Sequence, residues 1–500
     1  MAGVWQSSSA ACSAWNLPRA GALSNGIRHS GQTAPPQDAT GLLREVGTKN
    51  SWTIFLFLIA IIVPWVIYVG PLRLSMYRFV LLITFIPCIF MWITGRIGRI
   101  RTVDILIVTF SLWSMITLIV NHGIASVAVT TSIETIETLC PYLLGRCYIR
   151  NENDFRNAVR LLFIIVMLLM PFCIIELVSG HNVLLELFGT ILPTAAYTPV
   201  PRNGLTRVSS VFDHPIMTGL YTGSILGLVH LVLGYQKSVL SRGLMGVVVV
   251  VTAFTSLSAG PIGAVALQIL LLLWNGLLRW PKYRWKILIG LLVTLFILIE
   301  IVAKRSALNI ITSMFIFDDA SYWYRTLIWT YGSASVVDHP LFGVGLNDWP
   351  RPAWMPPSID NFWLFQAIRS GLPAPILFML CFFGIVLAVG FKRGLDDKVV
   401  ECRTGFLITM TFFFLTGWTV AFWDSVYVLF LFLMGSGVWI LDAQATDVDG
   451  SRKADTKRAA WGVEVPTFDQ NSSRVGANRA RSPKRDPHLA SRRPDRGVVR

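Results

Sequence analysis

Apolar residues in this chain come in blocks of about 17 to 22, the length a helix needs to cross about 30 Å of hydrocarbon. About twelve such blocks follow one another, the first running from Trp52 to Gly70 and the last from Asp424 to Leu441. With 54% hydrophobic and 14% charged residues, the chain lies far from a soluble domain. Ten-residue alternation of the barrel kind is absent, and lipid forces each backbone group to pair within its own segment. The reading is an all-α, polytopic integral membrane protein of about twelve transmembrane helices.

Composition divides the chain into three parts. Residues 1–50, rich in Ser, Gly, Ala and Pro with no apolar targeting stretch, read as a disordered cytoplasmic tail. Residues 51–441 form the membrane domain, and 442–500 read as a second disordered tail, rich in Arg, Ser and Pro. The net charge of +15 raises the question of nucleic acid, but 13 of the 43 Lys and Arg lie beyond Leu441. Aromatic residues are few in that tail and do not alternate with its charge, so anionic membrane lipid is the expected partner and nucleic acid is not. The seven cysteines form no CxxC pair, which predicts neither a disulfide framework nor a metal site.

Positive charge sets the topology, because Lys and Arg collect on the cytoplasmic side. Arg96, Arg99 and Arg101 precede the third block, while Arg146, Arg150, Arg156 and Arg160 follow the fourth. An even number of crossings must separate the two clusters, so the fourth block, Ile124 to Arg146, spans despite Glu134 and Glu137. Alternation then leaves both termini inside. Arg73 and Arg78 alone fall on the wrong side, and they read as snorkelling near a helix end. Two loops face outward, 180–214 and 304–371, the second between helices nine and ten.

Those loops carry the chemistry. Arg202 and Arg207 stand near the mouth of the sixth block, and arginine offers a rigid fork of donors suited to phosphate oxygens. A phosphate at headgroup level fits, in ordinary phospholipid or in a substrate. Asp213 reads as the N-cap of the sixth helix, with His214 beside it. In the second loop, Tyr322 to Tyr331 has helical spacing that sets Arg325 among aromatic residues, as on an interfacial helix. HPLFGVG reads as a turn, and Asp360 as the N-cap of a helix leading into the tenth span. Glu134 and Glu137, three apart, share one helical face. Glu176 and Glu300 fall near outer helix ends, within reach of water.

The order Arg325, Trp329, His339, Pro340, Gly343, Gly345 resembles the core motif of the O-antigen polymerase and ligase superfamily. Arg207 followed by VFDHPIMTG, and SLSAGPIGA with Ala259 where the superfamily has arginine, extend the similarity over about residues 202–388. Ligases of the superfamily carry a His, then Asn, Ser or Gln, ahead of a GxxGxxL run; this chain has Asp360 and Asn361 ahead of Gly371, Ala374 and Leu377. The missing histidine favours a polysaccharide polymerase.

The resemblance implies glycosyl transfer with neither metal nor cofactor at the periplasmic face of the bacterial inner membrane. Donor and acceptor are undecaprenyl-pyrophosphate-linked glycans, and a chain-length regulator protein is a candidate partner. Arg207, Arg325 and Arg202 would bind the pyrophosphate; Asp360, His339 and His214, in that order, are candidates for the base. A ligase is the first alternative. A lipid-linked glycan flippase, from another class, would call for polar residues along several spans and repeat symmetry, whereas here the polar residues gather in the outer loops.

Overall fold

The computed structural model describes residues 51–70, 72–194, 197–202, 204–278, 283–302 and 319–443. The N-terminal tail, nearly all of the C-terminal tail and the start of the second outer loop lie outside the described residues.

The described chain is mostly helical, with two small β-hairpins. It opens with α1 (Ser51–Ile62) and a hairpin of β1 (Val66–Val69) and β2 (Leu72–Ser75). The helices α2 (Met76–Ile93), α3 (Thr102–His122), α4 (Ile124–Tyr148) and α5 (Glu152–Ser179) follow. After a short α6 (Val183–Gly189), a second hairpin pairs β3 (Val200–Arg202) with β4 (Leu205–Arg207). The rest comprises α7 (Pro215–Leu233), α8 (Val239–Phe254), α9 (Ala259–Leu277) and α10 (Arg284–Val302). Last come α11 (Asp319–Asp338), α12 (Phe362–Ser370), α13 (Pro373–Phe391), α14 (Asp397–Thr416) and α15 (Asp424–Leu441).

Among the described residues, 8 helices are long and apolar enough to cross a membrane: α2, α3, α5, α7, α9, α13, α14 and α15. The protein is therefore embedded in a membrane. Two shorter apolar helices lie at Trp52–Ile62 and Val239–Phe254. The first apolar block is not one helix: α1 stops at Ile62, ahead of Pro64, which has no N–H to continue the ladder. Its second half becomes β1, paired with β2 from Val66↔Ser75 to Val69↔Leu72 and tied to the later segment by Val66 N–H to Pro193 O, 3.0 Å.

Helix connections collect at two ends. At one end Arg146 donates to the carbonyls of Ile97 and Arg99, Lys392 to that of Leu441, and Lys398 bonds Glu152. At the other, the two hairpins, the α8–α9 turn, the α14–α15 turn and the α11–α12 region converge. Close backbone contact between the C-terminal parts of α4 and α15 fixes the first of these ends. A Cβ on Gly145 would come within 2.7 Å of Ser436 N, and one on Gly435 would meet the Tyr142 backbone. Small residues at such a seam let helix backbones approach in lipid.

The region around HPLFGVG is organised by α11, which is longer than the expected Tyr322 to Tyr331. It buries Ile328 and Val336 against Leu364 and Ile368 of α12, with Trp349 and Met355 in the same cluster. Beyond α11 the HPLFGVG turn interlocks with the C-terminus of α12. Val344 N–H donates to Ile368 O at 2.9 Å, Gly345 N–H to Arg369 O at 3.0 Å and Leu372 N–H to Pro340 O at 2.8 Å. Gly343 and Gly371 both have positive φ, +63° and +72°, and a Cβ on Gly343 would lie 2.5 Å from the Ile368 carbonyl oxygen. Glycine is needed there twice over, for conformation and for room.

Candidate functional site: an arginine cluster beside a carboxylate-lined cavity

The α8–α9 turn is the base of the site. Leu257 in this turn has φ of +44°, a left-handed conformation unusual for a bulky side chain. Arg202 Nη1 donates to Leu257 O at 3.0 Å; Arg207 donates through Nη2 to Ser258 Oγ at 2.8 Å and through Nε to Ser256 O at 3.4 Å. From the other side, Arg325 on α11 donates through Nε to Thr419 O, 3.2 Å, in the α14–α15 turn. Neutral oxygens hold all three guanidinium groups. Among the described residues none of the three forms a salt bridge, and Arg325 Nη1 is buried with no partner.

The groups act on one another. Burial, and then the charge of Arg202, lowers the pKa of Arg207. Burial also lowers that of Arg325, with Asp360 opposing and Arg202 adding to the effect. For Asp360, burial raises the carboxyl pKa and the Arg325 charge pulls it back. Like charge thus gathers on one side of Asp360, where Arg202 acts on both Arg207 and Arg325, a region of positive potential.

His214 joins the cluster in a role other than the expected one. It, and not Asp213, caps α7: Ile216 N–H donates to His214 Nδ1 at 3.2 Å. That bond occupies Nδ1 as an acceptor, which leaves Nε2 with the proton. Burial and the Arg207 charge lower its pKa, so His214 is a neutral donor at pH 7. Asp213 instead pairs with Arg73 at 3.0 Å.

Asp360 likewise is not a cap. Asn361 fills that role, its side chain accepting from Leu364 N–H at 3.0 Å, which leaves the Asp360 carboxylate to face the site. His339 lies elsewhere: it is exposed just past the end of α11, 14 residues from Arg325, about 21 Å along a helix rising 1.5 Å per residue.

Asp360 also lines a cavity of about 470 Å³ walled by α3, α4, α12 and α15. Glu134 of α4 enters it in an ion pair with Arg369 of α12, and Glu137, Gln366, Trp423, Asp424 and Tyr427 line other walls. Behind the cavity runs a charge network. Arg78 donates through Nε to Glu137 Oε1 at 2.7 Å and through Nη2 to Asp424 Oδ1 at 3.1 Å, while Tyr77 Oη donates to Glu137 at 2.8 Å. Arg73 and Arg78 therefore do not snorkel; they neutralise carboxylates. Glu176 does not reach water either. It is buried and accepts the backbone N–H groups of Ser209 and Ser210 at 2.8 and 3.0 Å, bracing the segment that carries Arg207.

The three arginines, Asp360 and the Glu134 and Glu137 pair are residues that the sequence singles out, and the structure sets Arg325 near Arg202 and Asp360, and Asp360 in one cavity with Glu134 and Glu137. Thr419 and the carbonyls of the α8–α9 turn are not legible there, because backbone groups carry no residue signature. Among the described residues no group of three His, Cys, Asp or Glu gathers as a metal site. Comparison with protein-family models finds no match to this chain, and comparison with curated proteins finds none either.

Proposed function

We propose that the protein is a membrane glycosyltransferase that joins undecaprenyl-pyrophosphate-linked oligosaccharide units into a polysaccharide. The observation that carries this reading is the cluster of Arg202, Arg207 and Arg325, unpaired with any carboxylate among the described residues and set beside Asp360. A pyrophosphate supplies the missing anions, and fixed cations stabilise most where charge grows during reaction. The resemblance of Arg207, Arg325 and HPLFGVG to the O-antigen polymerase and ligase superfamily supplies the substrate class. The reading takes twelve crossings, cytoplasmic termini and a periplasmic site.

In this mechanism an acceptor hydroxyl oxygen attacks the anomeric carbon of the donor and gives its proton to Asp360. The bond from that carbon to the phosphate oxygen breaks, its electron pair stays on the pyrophosphate, and undecaprenyl pyrophosphate leaves. One direct displacement inverts the anomeric configuration. Asp360 suits the base because its carboxyl carries no side-chain hydrogen bond among the described residues and Arg325 orients it by charge. His214, a donor through Nε2, serves the leaving phosphate rather than the hydroxyl.

The test compares parent cells with Arg207→Ala, Arg325→Ala and Asp360→Ala variants at matched protein levels, sizing lipid-linked and surface glycans on gels. Loss of long polymer, with single units still reaching the outside, is the expected result. Long polymer that stays on its lipid and never reaches a final carrier would establish a ligase instead. Units accumulating only inside would overturn both in favour of a flippase.

A further inference from the structure

The cavity behind Asp360 has features the arginine cluster does not use. It falls within the range of about 300–1,000 Å³ typical of small-molecule sites. Its walls mix aromatic faces, from Phe365, Trp423 and Tyr427, with ionised groups. Two polar atoms of lining residues, Arg369 Nε and Ser114 Oγ, are buried without a partner. Together with the polar side chains of Thr135, Thr138 and Gln366, they make this a polar lining rather than an apolar one.

Charge selects among polar occupants. Glu134, Glu137, Asp360 and Asp424 line the cavity against Arg369 alone, and Arg78 and Arg73 balance only the far side of that set. Arg369 is paired with Glu134 and Arg78 with Glu137, so no cation of the cavity is free to take an anion. A neutral polyhydroxyl compound is favoured, since carboxylates accept from hydroxyl groups, a guanidinium donates to hydroxyl oxygens, and the C–H face of a sugar ring packs on aromatic rings.

We infer that this cavity is the acceptor-sugar site: it takes the non-reducing end of a neutral oligosaccharide, gripped by Glu134 and Arg369, and presents one hydroxyl to Asp360. The inference rests on the glycosyl-transfer reading for the word acceptor, and on the cavity alone for the class of ligand. Asp360 belongs to both places, facing Arg325 on one side and the cavity on the other. Glu134 acts as a positioning residue that sets which hydroxyl reaches the base.

The test uses purified full-length protein in detergent, in a Cys12→Ser background; the six cysteines among the described residues are buried. Reporter cysteines are placed in the cavity by Gln366→Cys and, on the opposite wall, Thr135→Cys, and on the exposed face of α11 by Ala334→Cys. Each is alkylated with a polar maleimide, with and without lipid-free repeat-unit oligosaccharide cut from the host's own polysaccharide. The expected result is at least tenfold slower labelling of both cavity cysteines at saturating oligosaccharide, with Ala334→Cys unaffected. Adding Glu134→Gln should raise the concentration needed by tenfold or more. Unchanged labelling at both cavity positions, in protein that makes polymer, overturns the inference, as does equal slowing at Ala334→Cys. Protection in protein that makes no polymer from lipid-linked units upholds a glycan site while removing the polymerase reading.

Discussion

Replacing Arg78 with Met is the most direct probe of the scaffold behind the site. If this arginine only reached for lipid headgroups, its loss would cost about 0–1 kcal/mol, as for exposed pairs. Its side chain is instead 13% exposed and that of its partner Glu137 is 11% exposed, at 2.7 Å. Removing one member of a buried pair leaves an uncompensated charge and costs about 3–5 kcal/mol. The Asp424 arm adds less, since that side chain is 27% exposed and keeps Arg73 at 3.9 Å. The expected loss is therefore about 3–5 kcal/mol, dominated by Glu137, in reversible SDS unfolding of the detergent-solubilised protein. Glu137→Gln removes the stranded charge, so the double variant should be more stable than additivity predicts, by about 0.5–3 kcal/mol. A loss below 1 kcal/mol that adds simply with Glu137→Gln would refute the network.

Further outcomes follow from the same geometry. Arg207→Ala and Arg325→Ala should each lower the transfer rate about 10²–10³-fold at saturating substrate in a vesicle assay, as loss of a preorganised stabiliser does. Asp360 must be ionised to take a proton and burial lifts its pKa above 3.8. Activity should therefore be lost as pH falls through that raised value, and the residual activity of Arg325→Ala, without the charge that pulls the pKa down, should show its acid limb at still higher pH. Gly371→Ala should cost more than about 2 kcal/mol in the same SDS titration: a left-handed conformation costs about 1–2 kcal/mol for a residue with a Cβ, and the added methyl meets the Leu341 carbonyl. His339→Ala, about 21 Å along the helix from Arg325, should leave turnover within about threefold, a result that near-complete loss of activity would contradict.

What could be read from sequence divides by the range of the physics involved. Apolar blocks show that helices form, because lipid demands internally paired backbone whatever the neighbours. Where a block stops is less legible. Trp52 to Gly70 is apolar throughout, yet Pro64 and pairing with a distant segment turn its end into a hairpin. Caps shifted by one residue, from Asp213 to His214 and from Asp360 to Asn361, because several neighbouring side chains could accept the same N–H groups. Those shifts matter to the site, since a residue relieved of capping is free for chemistry. Charge pairing was the least legible: Arg78 meets Glu137 across 59 residues and Asp424 across 346, contacts that local patterns do not encode. Proximity of Arg325 to Arg202 and Asp360 depends in turn on the Thr419 carbonyl and the α12 seam.

The sign of charge on either side of Asp360 bears on how two like substrates are kept apart. In the proposed reaction donor and acceptor both carry a pyrophosphate, so an attractive site alone would not tell them apart. On the proposed mechanism the three arginines, held by neutral oxygens, draw a pyrophosphate to one side, while the cations of the cavity are already matched to carboxylates. Discrimination of this kind rests on denying the wrong partner its contacts as well as supplying those of the right one. Glu134 stands in that wall with Arg369 as its only cation. On the proposed reading that ion pair leaves no free cation for the charged end of the acceptor while its oxygens still accept from an uncharged sugar, so the acceptor enters hydroxyl first. The order in which units join is then set by electrostatics around one aspartate.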